Sequence, residues 1–454
     1  MDYLVKNASA IACAQSNVSD IRIRNGKIAE LGNHLLAEQG EKVIDAQGCV
    51  IYPGLVNTHH HLAQSILKGI PEGLNQGLGE WLASVPYRYW PQITPQMMYH
   101  AARLGFYELV RSGTTTCADH HYLYHANSSK EMEEALWQAA EDMGIRFVLC
   151  RGGATVKGSH KGLAKAGVIP ESTELMLERL ERTRSRYHQE GGDAMRKLVV
   201  APTTIAHSAT PDDLKLLAEY ARSHKLRMHS HLLEVGFDNE QTLAKYGKTA
   251  VDFAESCDWL GDDVWFAHIV QATEQDIKIL AETKTGIAHC PTSNCRLGSG
   301  IAPIIEMEKA GMPISIGVDG SASSESGSMI QELNLTWLIH RAQHGPSATN
   351  AEQVLKWGAQ GGASILGLDQ VGQIEVGFAA DLVIYDIHKP RFSGVHSPLM
   401  APLLCGEPVE IKTSFINGRI VFQQNDSDIY HSLVEDVQHS VEELIGRVQY
   451  LERA

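Results

Sequence analysis

The chain has no CxxC pair among its eight cysteines, no apolar run approaching a membrane span and no surplus of basic charge. Each absence removes a class of function. Five of the scattered cysteines (Cys13, Cys49, Cys150, Cys290 and Cys405) sit among apolar neighbours, which suits buried thiols in a reducing cytoplasm better than a disulfide framework. Sequons such as Asn127-Ser128-Ser129 then carry no meaning. A formal net charge of −15 argues against a nucleic-acid partner, because a phosphate backbone requires a basic footprint. The start, Met1-Asp2-Tyr3-Leu4, lacks the basic and apolar regions of a secretory signal, so the expected location is the cytoplasm, away from membranes. With 43% hydrophobic and 20% charged residues, the composition is that of a soluble globular protein. Its 454 residues suffice for one large domain and a smaller one.

Two patterns divide the chain. Up to about residue 52 it reads as short strands: Tyr3–Lys6, Asp20–Arg24, Lys27–Leu31, Lys42–Asp45 and Gly48–Ile51, with a hairpin signal at Asn25-Gly26. Such a piece is too small to bury much alone. A matching block lies near the other end: a strand over Gly377–Tyr385, then Ile411–Ile416, Asn417-Gly418 and Arg419–Phe422. The expectation is one small β-sandwich composed of residues 1–52 and 370–426, followed by a C-terminal helix over 427–454.

Between these ends, over residues 53–369, the period changes. Apolar runs at Ile51–Asn57, Thr114–Ala118, Arg146–Cys150, Leu198–Thr203, Leu226–His231, Val264–His268, Gly286–Cys290 and Pro313–Asp319 alternate with helix-like stretches such as Pro95–Arg111, Lys130–Met143, Thr173–His188, Pro211–His224 and Glu274–Glu282. Eight such alternations predict an α/β fold, a closed (β/α)8 barrel of the TIM type. A doubly wound sheet is the rival, but no GxGxxG follows the first strand.

In such barrels chemistry sits at the C-terminal ends of the strands. The first strand leads into Thr58-His59-His60-His61, where alternation puts His59 and His61 on one face. The fifth ends in His229-Ser230-His231-Leu232-Leu233-Glu234, the sixth in Ala267-His268 and the eighth in Val318-Asp319-Gly320, and the seventh carries His289. Titratable groups at the same end of several apolar strands are hard to explain by packing, because unpaired buried charge costs several kcal/mol. His59, His61 and one fifth-strand histidine supply three nitrogens and Asp319 an oxygen, leaving one position for water, as in catalytic rather than structural zinc sites. Metal binding brings the pKa of water toward ~7 and so makes hydroxide available. Glu234, just past the strand end, could protonate a substrate atom, and His268 could position or deprotonate the water.

These residues resemble the amidohydrolase superfamily, specifically the aminohydrolase branch that deaminates purines, pterins and related rings. The likeness covers nearly the whole chain and is carried by Pro53-Gly54-Leu55-Val56-Asn57-Thr58-His59-His60-His61, His231-Leu232-Leu233-Glu234, Ala267-His268 and Gly317-Val318-Asp319-Gly320. It implies the metal ligands His59, His61, His231 and Asp319, and it is the resemblance that selects His231 over His229. It also implies proton transfer by Glu234, His268 and Asp319, the last passing the water's proton to leaving ammonia. Binuclear members carry a bridging lysine on the fourth strand. Leu198–Thr204 contains none, so one divalent metal is expected, zinc by its ligand set, with iron or manganese also tolerated. The HxE and PCxxC signature of the other zinc deaminases is absent, and Cys290 and Cys295 read as structural.

Within the branch, Leu62-Ala63-Gln64-Ser65, Asp119-His120-His121-Tyr122, Arg151-Gly152-Gly153-Ala154-Thr155, Ala201-Pro202-Thr203-Thr204 and His289-Cys290-Pro291-Thr292-Ser293-Asn294 point to a flat amino-substituted oxo-heterocycle. Isoxanthopterin is favoured and 8-oxoguanine follows. The implied reaction converts the exocyclic amine into a carbonyl with release of ammonia. Gln64 offers a donor and an acceptor to an amide edge. Arg151 could hold a carbonyl or an anionic oxopterin, or pair with a structural carboxylate. Thr204 adds a hydroxyl, and Trp81 or Tyr122 could stack on the ring or simply pack. His120, His121 and His125 read as loop or supporting groups. The same site could instead serve guanine or an amino- or chloro-triazine, and a non-catalytic scaffold is disfavoured by retention of all four ligands. Relatives lead us to expect a homo-oligomer.

Overall fold

A computed structural model describes residues 1–13, 18–157, 168–424 and 427–453; the junction expected at 425–426 and the final residue of the expected helix, Ala454, lie outside it. Eight parallel strands form the centre: β1 (Leu55–His60), β2 (Thr114–His121), β3 (Arg146–Arg151), β4 (Arg196–Val200), β5 (Arg227–Leu232), β6 (Val264–His268), β7 (Gly286–His289) and β8 (Ile314–Ile316). They follow one another in chain order around the sheet, as successive strand–helix units require. The seam closes where the Asp319 N–H donates to the His59 carbonyl (3.0 Å). Backbones come close there: a Cβ on Gly317 would lie 2.8 Å from that of His59. The chain is thus a (β/α)8 barrel, and its closure sets Asp319 beside His59.

The intervening helices begin where their sequences provide caps. Thr94 accepts the Met97 N–H ahead of Pro95–Arg111, and Thr210 and Asp213 form a reciprocal capping box on Pro211–Ser223. Pro95–Arg111 packs on β2 and on Lys130–Met143. Its Met98, Ala101, Ala102, Phe106 and Leu109 are buried.

Two further sheets flank the barrel. One orders Lys27–Gly32, Asp20–Arg24, Tyr3–Lys6 and Lys42–Asp45; the other orders Arg419–Gln423, Ile411–Ile416, Leu382–Asp386, Cys49–Pro53 and Ala10–Ile11. The two ends of the chain meet in the second sheet, where Cys49–Pro53 pairs antiparallel with Leu382–Asp386. Both hairpins turn through residues with positive φ, Asn25-Gly26 and Asn417-Gly418, as two-residue type I′ turns require. The long helix Ser427–Arg453 packs against Pro95–Arg111. No helix among the described residues is long and apolar enough to cross a membrane.

Several strands are shorter than their apolar runs, Pro313–Asp319 being strand only over Ile314–Ile316, and two of these differences have a visible cause. The run Ile51–Asn57 is broken at Pro53-Gly54: Cys49–Pro53 belongs to the flanking sheet and Leu55–His60 to the barrel. A Cβ on Gly54 would stand 2.0 Å from Thr115 Oγ1, so the crossing point tolerates only glycine. In Gly377–Tyr385 only Leu382 onward is strand. The preceding residues bond across to the first sheet, with Gly377 N–H to the Ile28 carbonyl and Ala380 N–H to the Gly26 carbonyl.

A buried ion pair ties the flanking sheets to the barrel. Arg146, at the start of β3, donates from Nη2 to both carboxylate oxygens of Asp381 (3.0 Å each), and both side chains are buried. Removing one partner leaves the other charge uncompensated. Asp381→Ala should therefore cost about 3–5 kcal/mol of stability, measurable by urea denaturation; an unchanged midpoint would remove this pair from the account.

Candidate active site

The ends of β1, β5, β6 and β8 bring together the side chains singled out above. Hydrogen bonding fixes the form of each imidazole. His229 donates from Nδ1 to the Trp265 carbonyl (2.9 Å), so its Nε2 is left to accept the Nδ1–H of His59 (2.8 Å). His61 donates from Nδ1 to the His120 carbonyl (2.7 Å), and His231 does so to the Thr203 carbonyl (2.6 Å). All three thereby present an unprotonated Nε2 to a common point. His61 Nε2 and His231 Nε2 lie 3.2 Å apart, and Asp319 Oδ1 is 3.3 Å from Nε2 of both His59 and His61. His59 Nε2 is buried without a hydrogen-bond partner.

Several lone pairs converging on a carboxylate repel one another unless a cation lies among them, so this donor set fits a divalent metal. Burial holds the His59 and His231 imidazoles well below their ordinary pKa, the neutral state that ligation needs. The other Asp319 oxygen accepts the Ser293 hydroxyl at 2.5 Å and the Ser323 hydroxyl at 3.3 Å. Asp319 and His268 both have left-handed backbones, with φ of 59° and 76°, which bends their strand ends toward the cavity. His120 adjoins the cluster, and its ring centroid is 4.7 Å from that of His231. It can join His59 and His231 as a donor, while its Nε2 contacts the Ala201 carbonyl (2.9 Å).

Beside this centre lies the proton-transfer pair expected from the sequence. Glu234 Oε2 is 3.6 Å from His268 Nε2, and His268 Nδ1 donates to Asn294 Oδ1 (2.8 Å). Burial pushes the Glu234 carboxyl up to about 7, against the opposing pull of His268. Burial alone would lower His268, but the carboxylates of Glu234 and Asp319 outweigh it and leave the imidazole above its ordinary value. A carboxyl that retains its proton near neutrality suits general-acid work.

Both groups open into a cavity of about 380 Å³. Gln64, Trp81, Tyr122 and Thr204 line it, together with His61, His231, Glu234, His268 and Asp319. Gln64 donates from Nε2 to the Tyr122 hydroxyl (3.1 Å), and its buried Oε1 has no hydrogen-bond partner. Arg151 does not reach the cavity. Its guanidinium is fully buried, forked onto Glu171 (2.6 and 2.7 Å) and stacked 3.9 Å from the Tyr124 ring, so the structural carboxylate has won over the substrate. His121 packs on Tyr124, and the His125 carbonyl accepts from Arg179 (2.8 Å). His289 pairs with His340 (3.2 Å) away from the cavity lining.

Sequence alone assigns no individual role to Ser293 and Asn294, nor to Tyr87, His207 and Asp238, which also line the cavity. Ser293 and Asn294 follow the seventh strand, where polar residues two and three beyond a proline could have been suspected. Nothing local marks His207 and Asp238.

The profile described as Amidohydrolase family matches residues 50–421. The chain is 40% identical to an isoxanthopterin deaminase from an unknown prokaryotic organism, over 99% of this chain and 96% of that protein. It is 37% identical to an 8-oxoguanine deaminase of Pseudomonas aeruginosa, over 84% and 85% respectively. The crystal structure of atrazine chlorohydrolase TrzN from Arthrobacter aurescens, complexed with zinc, superposes with a TM-score of 0.89 at 26% identity, covering 97% of this chain and all of that one.

Proposed function

Because this chain belongs to the amidohydrolase family, we propose that it is a metal-dependent deaminase that hydrolyses the exocyclic amine of a flat oxo-heterocycle, isoxanthopterin before 8-oxoguanine. The observation that carries this reading is the convergence of three imidazole nitrogens and the Asp319 carboxylate beside Glu234, whose carboxyl burial pushes up to about 7, at one end of a cavity of about 380 Å³. His59, His61, His231 and Asp319 would hold one divalent metal, which supplies a nucleophile from water at neutral pH. Zinc suits this ligand set, and the zinc-complexed relative supports it.

The chain's own residues do the rest. Glu234 delivers a proton to the ring nitrogen beside the amine-bearing carbon as that carbon becomes tetrahedral. His268, fixed through Asn294, orients the attacking water and stabilises negative charge at Glu234 and Asp319. Once the carbon is tetrahedral, Asp319 takes the proton left on the attacking oxygen and passes it to the departing amine, so ammonia leaves neutral and the oxygen becomes the carbonyl, while the proton shed as water is activated restores Glu234 through solvent. Gln64, with a free acceptor at Oε1, takes a ring N–H, and Trp81 and Tyr122 flank the ring face. The products are ammonia and the corresponding carbonyl compound, 7-oxylumazine in the case of isoxanthopterin.

Ammonia release measured in parallel from isoxanthopterin, 8-oxoguanine, guanine and an aminotriazine tests this proposal. Highest kcat/KM on isoxanthopterin is expected. Turnover of the triazine alone would assign the cavity to the chemistry of its hydrolase relatives instead.

A further inference from the structure

A second cavity, of about 210 Å³, opens at the N-terminal face of the barrel, where β4 and β5 begin. His188, Lys197, Lys225, Arg227 and Gly367 help to line it. Val199 pairs with Arg227 across β4 and β5, so alternation puts Lys197, Val199, Arg227, His229 and His231 on one face. That face is the inner one, since Val199 packs with Val56, Ala118 and Ala288 from strands around the barrel. One end of this face carries the imidazoles of the candidate active site, and the other carries two cations.

The bonds these cations make leave most of their donors over. Lys197 Nζ donates to the Gly367 carbonyl (2.9 Å) and Arg227 Nη1 to the Asp262 carbonyl (2.6 Å). Gly367 follows the helix Gly362–Ile365, and carbonyls at a helix end attract cations, but that contact occupies one Lys197 proton. The Nε–Nη2 edge of Arg227 has no partner among the described residues, and neither nitrogen is sealed from solvent. His188 accepts the Leu198 N–H at Nδ1 (3.0 Å), which leaves its own proton on an accessible Nε2. Gly367 has a φ of 65°, and a Cβ there would lie 2.5 Å from Arg227 Nε, so glycine makes room for the guanidinium.

Counter-charge is held at a distance. Burial, and then the charge of Arg227, keep the Lys197 ammonium below its ordinary pKa, and burial lowers the Arg227 guanidinium too. The carboxylates that bear on the two are Asp369 and Glu190, and Asp262 and Asp263. Asp263 is taken by Arg222 (3.0 Å), and the other three residues are exposed. A chain with a formal net charge of −15 thus keeps two half-buried cations side by side with no carboxylate bonded to either.

We propose that this pocket binds a phosphate group, free or carried on a small phosphomonoester, through Lys197 and Arg227. The open Nε–Nη2 edge of an arginine matches two oxygens of an oxyanion. Lys197 and Arg227, with Lys225 beside them, suit a dianion better than a singly charged carboxylate. The site lies at the opposite end of β5 from His231 and is independent of the reaction proposed above.

Titration calorimetry of the metal-loaded full chain with sodium phosphate tests this, at constant ionic strength, with glycerol phosphate and acetate in separate arms. Saturable phosphate binding is expected. Arg227→Gln and Lys197→Gln should each weaken it by about 10- to 100-fold, the worth of a hydrogen bond to a charged group. Lys225→Glu, at an exposed position, should weaken it as well and decides the matter if the inner variants do not fold. Tighter binding of glycerol phosphate than of phosphate assigns the site to an ester; otherwise free phosphate is the ligand. No saturable binding of either phosphate compound by the wild type overturns the proposal. So does acetate bound as tightly as phosphate. Phosphate affinity unmoved in every folded variant also overturns it, and would put the anion at the metal centre.

Discussion

Glu234→Gln is expected to lower the rate of ammonia release by about 10²- to 10⁴-fold while the bound metal stays at its wild-type level. The substitution is nearly isosteric, and the amide can still accept the Ser299 hydroxyl, which contacts Glu234 Oε1 at 3.4 Å. What it removes is the exchangeable proton that burial keeps on the carboxyl up to about pH 7. Amide for acid therefore separates proton delivery from packing. Ammonia release and metal content, measured on the same preparation, distinguish the possibilities. Near-normal turnover would strip Glu234 of its role. Loss of metal along with activity would make it a ligand rather than an acid.

Asp319→Asn is expected to abolish turnover at least as completely, for a different reason. The carboxylate is the only formal negative charge in the proposed ligand set, and it faces His59 Nε2 and His61 Nε2 at 3.3 Å. Changes to groups that merely support a ligand cost about 10- to 100-fold in metal affinity, so neutralising a ligand should cost more. The fold should survive. Barrel closure at this residue uses its backbone N–H, which bonds the His59 carbonyl, and an asparagine oxygen can still accept from Ser293 and Ser323. A folded, metal-poor and inactive variant is the expected outcome, read by circular dichroism and metal analysis. A variant with full metal content would show that the other donors suffice.

These effects concern residues that the sequence identified, and the reason is physical. Apolar strands ending abruptly in His, Glu or Asp violate local packing logic, and only a shared site explains several such violations at one end of a barrel. Alternation along β1 placed His59 and His61 on one face, and both do meet Asp319. The choice between His229 and His231 was not legible from spacing. In the structure both face inward, His231 toward His61 and His229 behind His59, bonded to its far nitrogen.

What escaped the sequence depended on partners distant along the chain. Arg151 ends the third strand, where a substrate contact would be, but Glu171, twenty residues on, claims its guanidinium. His207 follows β4 and Asp238 lies in the first turn of the helix after β5, and no local period announces that they meet. The run Ile51–Asn57 gave no sign that Pro53-Gly54 passes the chain from one sheet to another, because that crossing is imposed by Thr115 packing against Gly54. Local pattern thus fixed which strands exist and where their polar ends lie. The cavity wall is assembled from segments distant along the chain and could be seen only in three dimensions.

Three imidazoles and Asp319 are proposed to grip a single divalent metal. Anomalous diffraction from crystals of the purified, metal-loaded protein, collected on either side of the metal's absorption edge, tests it most directly. One peak bonded to His59, His61, His231 and Asp319 is predicted. Two peaks, or one held by His120 with Asp319 turned away, would contradict it.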